Sequence, residues 1–339
     1  MKEEKLMDEN LVDLVVISSP HIRDKAKVSL IMRGVLIALM PATIAGLYFF
    51  GVGHTLGVII VSILSAVVAE YLSCLIFRTK ATVYDLSAAV TGLLLALTLP
   101  PSSPYWMVAV GAFVAIILGK WIFGGIGSNP FNPALVGRAF LMISWPTYMT
   151  IWVKPFTQSV FPPTNAITTA TPLNIIKLKG FSELLAMFDG SKLIMYKSLF
   201  LGNVAGSIGE TSALLLLIGG IVLIAKKIID WRIPAGFIGT VFILSAVFNR
   251  DPIFSILSGG LFLGAFFMAT DYSSSPITVK GRLWYGISLG VLTVIFRQFG
   301  ASPEGVMFSI LIMNCFVPFF DKMLPRVYGR FALKRKMSI

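Results

Sequence analysis

The chain has 339 residues, 56% of them hydrophobic and 13% charged, a net charge of +12 and a mean hydropathy of +0.85. Such a chain cannot be an ordinary soluble domain; it reads as an all-α polytopic membrane protein, in which excess Lys and Arg report membrane orientation rather than nucleic-acid binding. Its two cysteines, Cys74 and Cys315, lie in separate apolar runs and exclude a CxxC metal or iron–sulfur site.

The N-terminus, MKEEKLMDENLVDL, has no basic start followed by an apolar core. No signal peptide is expected, and residues 1–31 form a polar arm. Apolar runs of bilayer length follow near 32–52, 54–77, 85–99, 103–124 and 131–152, then 210–228, 232–249, 253–269, 282–299 and 304–321. They form two groups of five, separated by a loop at 153–209 and followed by a basic tail at 322–339.

The third and eighth runs are short and both stop at a Ser/Pro-rich segment. They also align: LS at 86–87 with LS at 257–258, Thr98 with Thr270, and SSP at 102–104 with SSP at 274–276. This is a weak internal repeat of about half the chain, and an odd number of spans per copy inverts the second. Paired short helices in an inverted repeat point to a site near the membrane midplane. With the N-terminus inside, twenty Lys and Arg fall on the cytoplasmic side and seven opposite. Both termini are therefore expected in the cytoplasm, and the 153–209 loop outside.

Three charged residues well inside predicted spans are candidates for a role beyond orientation. Glu70, in AVVAEYLSC, is either an ion-pathway carboxylate or a side chain reaching water at the membrane edge. Lys120 and Arg138 read as packing or snorkelling groups, with Arg138 also able to sit beside an anionic cofactor. Asn129 and Asn132, in GGIGSNPFNPALVGRAF, sit on proline-stiffened backbone that suits either the edge of a planar heterocycle or a simple turn and helix start. Asp271, at the end of the eighth run, lies on the same predicted side, so the two polar clusters can converge.

The loop holds TNAITTATPLNII at 164–176. Thr171 before Pro172 is a helix N-cap, or its hydroxyl is an attachment point, with Lys177 and Lys179 nearby to favour a phosphate. The two histidines, His21 and His54, form no hydrolytic constellation, and neither a phosphate-binding GxxxxGK[ST] loop nor HExxH occurs. Energy must come from an ion gradient or from electrons.

Taken together, SSPHIRDK, GxGSNPFNPALVGRAF, TATPL and FMATDYSSSPIT resemble the RnfD family, the D subunits of Rnf complexes, which is also similar to the B subunit of the sodium-pumping NADH:quinone reductase. The resemblance runs from about residue 18 to 328. It implies a ten-helix, urea-transporter-like fold in a prokaryotic plasma membrane. It also implies FMN joined through a phosphodiester bond, by a flavin transferase, to a threonine in a pattern like D-G-x-S-G-A-T-P-L. Aligning A-T-P-L puts that threonine at Thr171; Thr168 takes the Ser position, and Asn165, Ala166 and Thr169 depart from the pattern. Asn129, Asn132 and Asp271 match positions that hold a noncovalent riboflavin in the sodium-pump relative.

The implied function is electron transfer within a membrane complex coupling ferredoxin oxidation and NAD reduction to Na⁺ or H⁺ movement. Partner subunits of the A, B, C, E and G type would hold the rest of the machinery, since this chain has no complete active site. Two rivals remain: a stand-alone channel or transporter for a small polar solute on the same fold, and a purely structural membrane subunit.

Overall fold

Runs of Leu, Ile, Val and Ala at this density satisfy their backbone polar groups inside the bilayer by forming helices. The structure, a computed structural model, describes residues 27–79, 82–156, 170–300 and 305–322. Expectations about the N-terminal arm, the basic tail, Asn165, Ala166, Thr168 and Thr169 lie outside the described residues.

The first half contains α1 (Val28–Phe50), α2 (Val52–Ile76), α3 (Ser87–Thr98), α4 (Tyr105–Ile117), α5 (Pro133–Ser144) and the single turn α6 (Pro146–Met149). The connecting loop folds into α7 (Pro172–Lys179), α8 (Phe181–Ala186) and α9 (Lys192–Leu201). The second half contains α10 (Ala213–Ala225), α11 (Arg232–Val247), α12 (Pro252–Leu257), α13 (Leu261–Leu263) running into a π-helical turn (Gly264–Met268), α14 (Val279–Phe299), α15 (Gly305–Cys315) and α16 (Val317–Lys322). Among the described residues, four helical segments are apolar and long enough to cross a membrane: Val28–Phe50, Val52–Ile76, Tyr105–Phe123 and Val279–Phe299. The chain is a multi-pass membrane protein.

On α2 the exposed side chains Val52, Leu56, Ile60, Leu64, Val68 and Leu72 recur every fourth residue, while Ser62, Ala66, Ala69, Glu70 and Ser73 face inward. Small residues bring the helices close, as expected where lipid tails compete for apolar contacts. A Cβ on Gly92 of α3 would lie 2.8 Å from the α2 backbone at Ile63, and one on Gly137 of α5 would lie 2.7 Å from the Gly111 carbonyl of α4.

The two halves repeat a packing order. α2 packs on α4 and α4 on α5; α11 packs on α14 and α14 on α15. Across the halves α1 meets α10 and α5 meets α15. The short segments are both interior, with all but one residue of α3 buried and every residue of Leu261–Met268 buried.

Two of the expected spans are interrupted. The run at 131–152 stops as a helix at Ser144, because Pro146 drives Trp145 out of the helical region (φ −135°, ψ 63°) and cannot donate its own N–H. The run at 253–269 breaks in its middle as well as at its end. Gly259 and Gly260 take φ of 69° and 67°, a left-handed conformation that glycine reaches without strain.

Candidate functional site

Three polar assemblies lie in the interior, the first within the first half and the other two across the halves. The first is built on α2, α3 and the turn after α4. Glu70 is fully buried, and its carboxylate accepts from Lys120 Nζ at 2.8 Å, Thr82 Oγ1 at 2.5 Å and Trp121 Nε1 at 2.9 Å. Lys120 also donates to Ser87 Oγ at 2.7 Å, and Ser87 donates to Asp85 Oδ1 at 2.5 Å. Neither charge reaches water, so the snorkelling expectation fails for both: they lie within the bundle and neutralise each other. Burial without this pairing would cost several kcal/mol per ion.

The second assembly contains Asn129, Asn132 and Asp271. The structure brings all three to one cavity of about 70 Å³, lined also by Ser87, Thr91 and Lys120. Asn132 caps α5, accepting from Leu135 N at 3.3 Å with Pro133 in the first helical position, and its amide nitrogen donates across the halves to Met268 O at 3.1 Å. Asn129 Nδ2 donates to Phe131 O at 2.9 Å. Asp271 accepts from the hydroxyls of Ser274 at 3.0 Å and Ser273 at 3.2 Å; burial pushes its carboxyl up against the lowering pull of these donors. The cavity is smaller than the roughly 150 Å³ that encloses a benzene ring. As shaped, it holds water-sized groups and not a three-ring heterocycle.

The third assembly joins Arg138 to Thr171. Arg138 Nη1 pairs with Glu210 Oε1 at 2.8 Å, and both side chains are largely buried. Glu210 packs against Gly260 in the α12–α13 break, where a Cβ would collide with its carboxylate. Thr171 caps α7 with Pro172 in the first helical position, its Oγ1 accepting from Asn174 N at 3.3 Å. Thr171 is 9% exposed and lines a cavity of about 40 Å³ shared with Trp152, Glu210, Thr211, Ser258 and Gly259. The helix N-terminus suits an anion on that oxygen, because first-turn N–H groups and the helix dipole point toward it. Lys177 reaches back to Gly300 O, whereas Lys179 faces Glu183 at 3.9 Å on the exposed surface.

Sequence reasoning missed four partners. Glu210 stands at the start of an expected span, but α10 begins only at Ala213, leaving the carboxylate in the preceding turn to meet Arg138. Trp121 and Thr82 give no periodic signal. Asn314 is legible as a lone carboxamide in an apolar run. With its amide oriented to satisfy its neighbours, it bonds Tyr285, Ser274 O and Asn132 N, tying α14 and α15 to the start of α5.

A family model described as "NQR2, RnfD, RnfE family" matches residues 15–329. The chain belongs to this family. Among relatives, a Clostridium ljungdahlii protein, named as the D subunit of a proton-translocating ferredoxin:NAD(+) oxidoreductase complex, is 49% identical over 312 residues, covering 90% of this chain and 92% of the relative. An Acetobacterium woodii protein, named as the D subunit of a Na(+)-translocating ferredoxin:NAD(+) oxidoreductase complex, is 43% identical over 330 residues, covering 96% and 99%. A Halorhodospira halophila protein, named as the D subunit of an ion-translocating oxidoreductase complex, is 36% identical over 353 residues, covering 95% and 98%. All three assemblies described above lie within the stretch matched to the NQR2, RnfD, RnfE family.

Proposed function

We propose that this chain is the D subunit of an ion-translocating ferredoxin:NAD oxidoreductase in a prokaryotic plasma membrane, and that it carries FMN on Thr171. The observation that carries the reading is full-length similarity at 43–49% identity to D subunits of such complexes. Those relatives are named for different ions, so one fold serves either H⁺ or Na⁺. The chain is then one subunit of an oxidoreductase and needs its companion subunits, of the A, B, C, E and G type, to complete the reaction.

FMN, when bound, supplies a carrier able to take one or two electrons. The protein's own task is to hold and orient it. The position of Thr171 supports attachment: its oxygen lies at the start of α7, at the edge of a cavity, where a phosphodiester is favoured by the helix N-terminus. Maturation requires a flavin transferase. A noncovalent riboflavin beside Asn129, Asn132 and Asp271 requires the small cavity to widen.

The repeated packing order supports ten membrane segments in two inverted five-helix repeats, 32–152 and 210–321, with α3 and the broken α12–α13 segment as the paired short helices. Charge distribution supports cytoplasmic termini and an outer α7–α9 layer. The rival solute-transporter reading gains no specific observation.

The test is in-gel flavin fluorescence of the denatured chain coexpressed with a flavin transferase. Wild type should fluoresce and Thr171→Ala should not. A dark wild type beside a labelled control substrate overturns the attachment.

A further inference from the structure

The largest cavity among those described is a groove of about 730 Å³ between α7–α9 and the α11, α12 and α14 surfaces. Its volume falls in the range of small-molecule sites, and like them it is mostly apolar with a few convergent polar groups. We propose that this groove seats the ring system of the flavin tethered at Thr171; the inference rests on the attachment proposed above.

Leu173 lines both the Thr171 cavity and the groove, so one side chain forms the partition between them. Ile176, five residues beyond Thr171, also lines the groove and lies about 7.5 Å along α7. A ribityl phosphate arm spans that interval. The walls present Phe181, Tyr196 and Phe254, which offer flat apolar surface to an aromatic ring.

The floor is polar and buried. Arg297 is 8% exposed and held by the carbonyls of Ser255 at 2.6 Å and Ser258 at 2.8 Å. Beside it, the side-chain carbonyl of Gln298 is buried with no hydrogen-bond partner among the described residues. An isolated buried acceptor is costly. The pyrimidine edge of a flavin carries an N–H donor that satisfies a carboxamide oxygen, and its carbonyls take up negative charge on reduction, which a nearby guanidinium stabilises. A lipid acyl chain would fill the apolar walls but leave Gln298 unsatisfied.

The experiment uses the full chain coexpressed with a flavin transferase and purified in detergent, as wild type, Gln298→Leu and Ser245→Phe. Ser245 is a buried small residue on the groove wall, so the phenyl ring occupies the space. Both variants should keep the fluorescence of the denatured band. In the native state their flavin should show lower fluorescence anisotropy and several-fold stronger iodide quenching than wild type. Unchanged anisotropy and quenching in a labelled Gln298→Leu protein would place the ring elsewhere while leaving the attachment intact. Loss of the denatured signal in wild type, or its survival in Thr171→Ala, would instead overturn the attachment. Phospholipid that copurifies with wild type and is displaced in Ser245→Phe without any flavin change assigns the groove to lipid and refutes the proposal. Should the phenyl variant fail to fold, Gln298→Leu, which barely alters volume, decides alone.

Discussion

Lys120→Met removes one half of the buried Glu70–Lys120 pair at nearly constant volume. Glu70 would keep Thr82 and Trp121, two neutral donors, around a carboxylate with no solvent exposure. Breaking a buried pair from one side costs about 3–5 kcal/mol, because the remaining charge is uncompensated. Glu70→Gln should cost a similar amount, since Lys120 would then keep only neutral acceptors such as Ser87. The double variant removes both charges and leaves mainly lost hydrogen bonds, or about 1–2 kcal/mol. The two changes are thus strongly non-additive, the double variant being more stable than either single one. Thermal or SDS-induced unfolding of the detergent-solubilised chain measures all four states. A cost below about 1 kcal/mol for Lys120→Met, or additive costs, would refute the reasoning and return Glu70 to a hydrated ion-pathway role.

Gly92→Leu should separate α3 from α2, because even its Cβ meets the α2 backbone; a loss of about 1–3 kcal/mol in the same unfolding assay is expected, and a neutral result would contradict the close approach. Thr171→Ser should retain both the flavin label and the cap of α7, whereas Thr171→Val loses the label and about 1 kcal/mol of cap stability, read by gel fluorescence and melting. Asp230 links Arg232 and Arg282 at 2.9 and 2.8 Å. Burial alone would raise its carboxyl, but the N–H of Arg232 and both guanidiniums hold it below the usual range. Its contribution is therefore present above the unfolded value of about 3.9 and lost as pH falls through the lower folded value. The melting advantage of wild type over Asp230→Asn, about 1 kcal/mol or less for partners a third exposed to solvent, should be constant from pH 7 to 5 and be lost progressively as pH falls below about 4.

Long apolar runs are legible because their composition alone demands helices in lipid, and Thr171–Pro172 and Asn132–Pro133 announce helix starts through cap chemistry. The break at Gly259–Gly260 is harder to read: a Gly pair inside an apolar run is equally at home in close helix packing, and only the approach of Leu173 and Glu210 shows why backbone without side chains is needed there. Charge partners are the least legible. Glu70 and Lys120 are 50 residues apart, and Arg138 and Glu210 are 72 apart, so no local pattern links them. The three helices α7–α9 carry a loop-like sequence because their own small apolar cluster, centred on Leu184, Met195 and Leu199, forms only once they fold against Phe254.

The every-fourth-residue ridge on α2 runs from Val52 to Leu72, or about 30 Å of helix, close to the thickness of a hydrocarbon layer. Because Gly92 lets α3 pack directly on the backbone of this helix, the ridge acts as a depth gauge for the first half of the bundle. Shortening it by one turn would draw its packed neighbours along the membrane normal, and α10, which rests on α1, would feel the same pull.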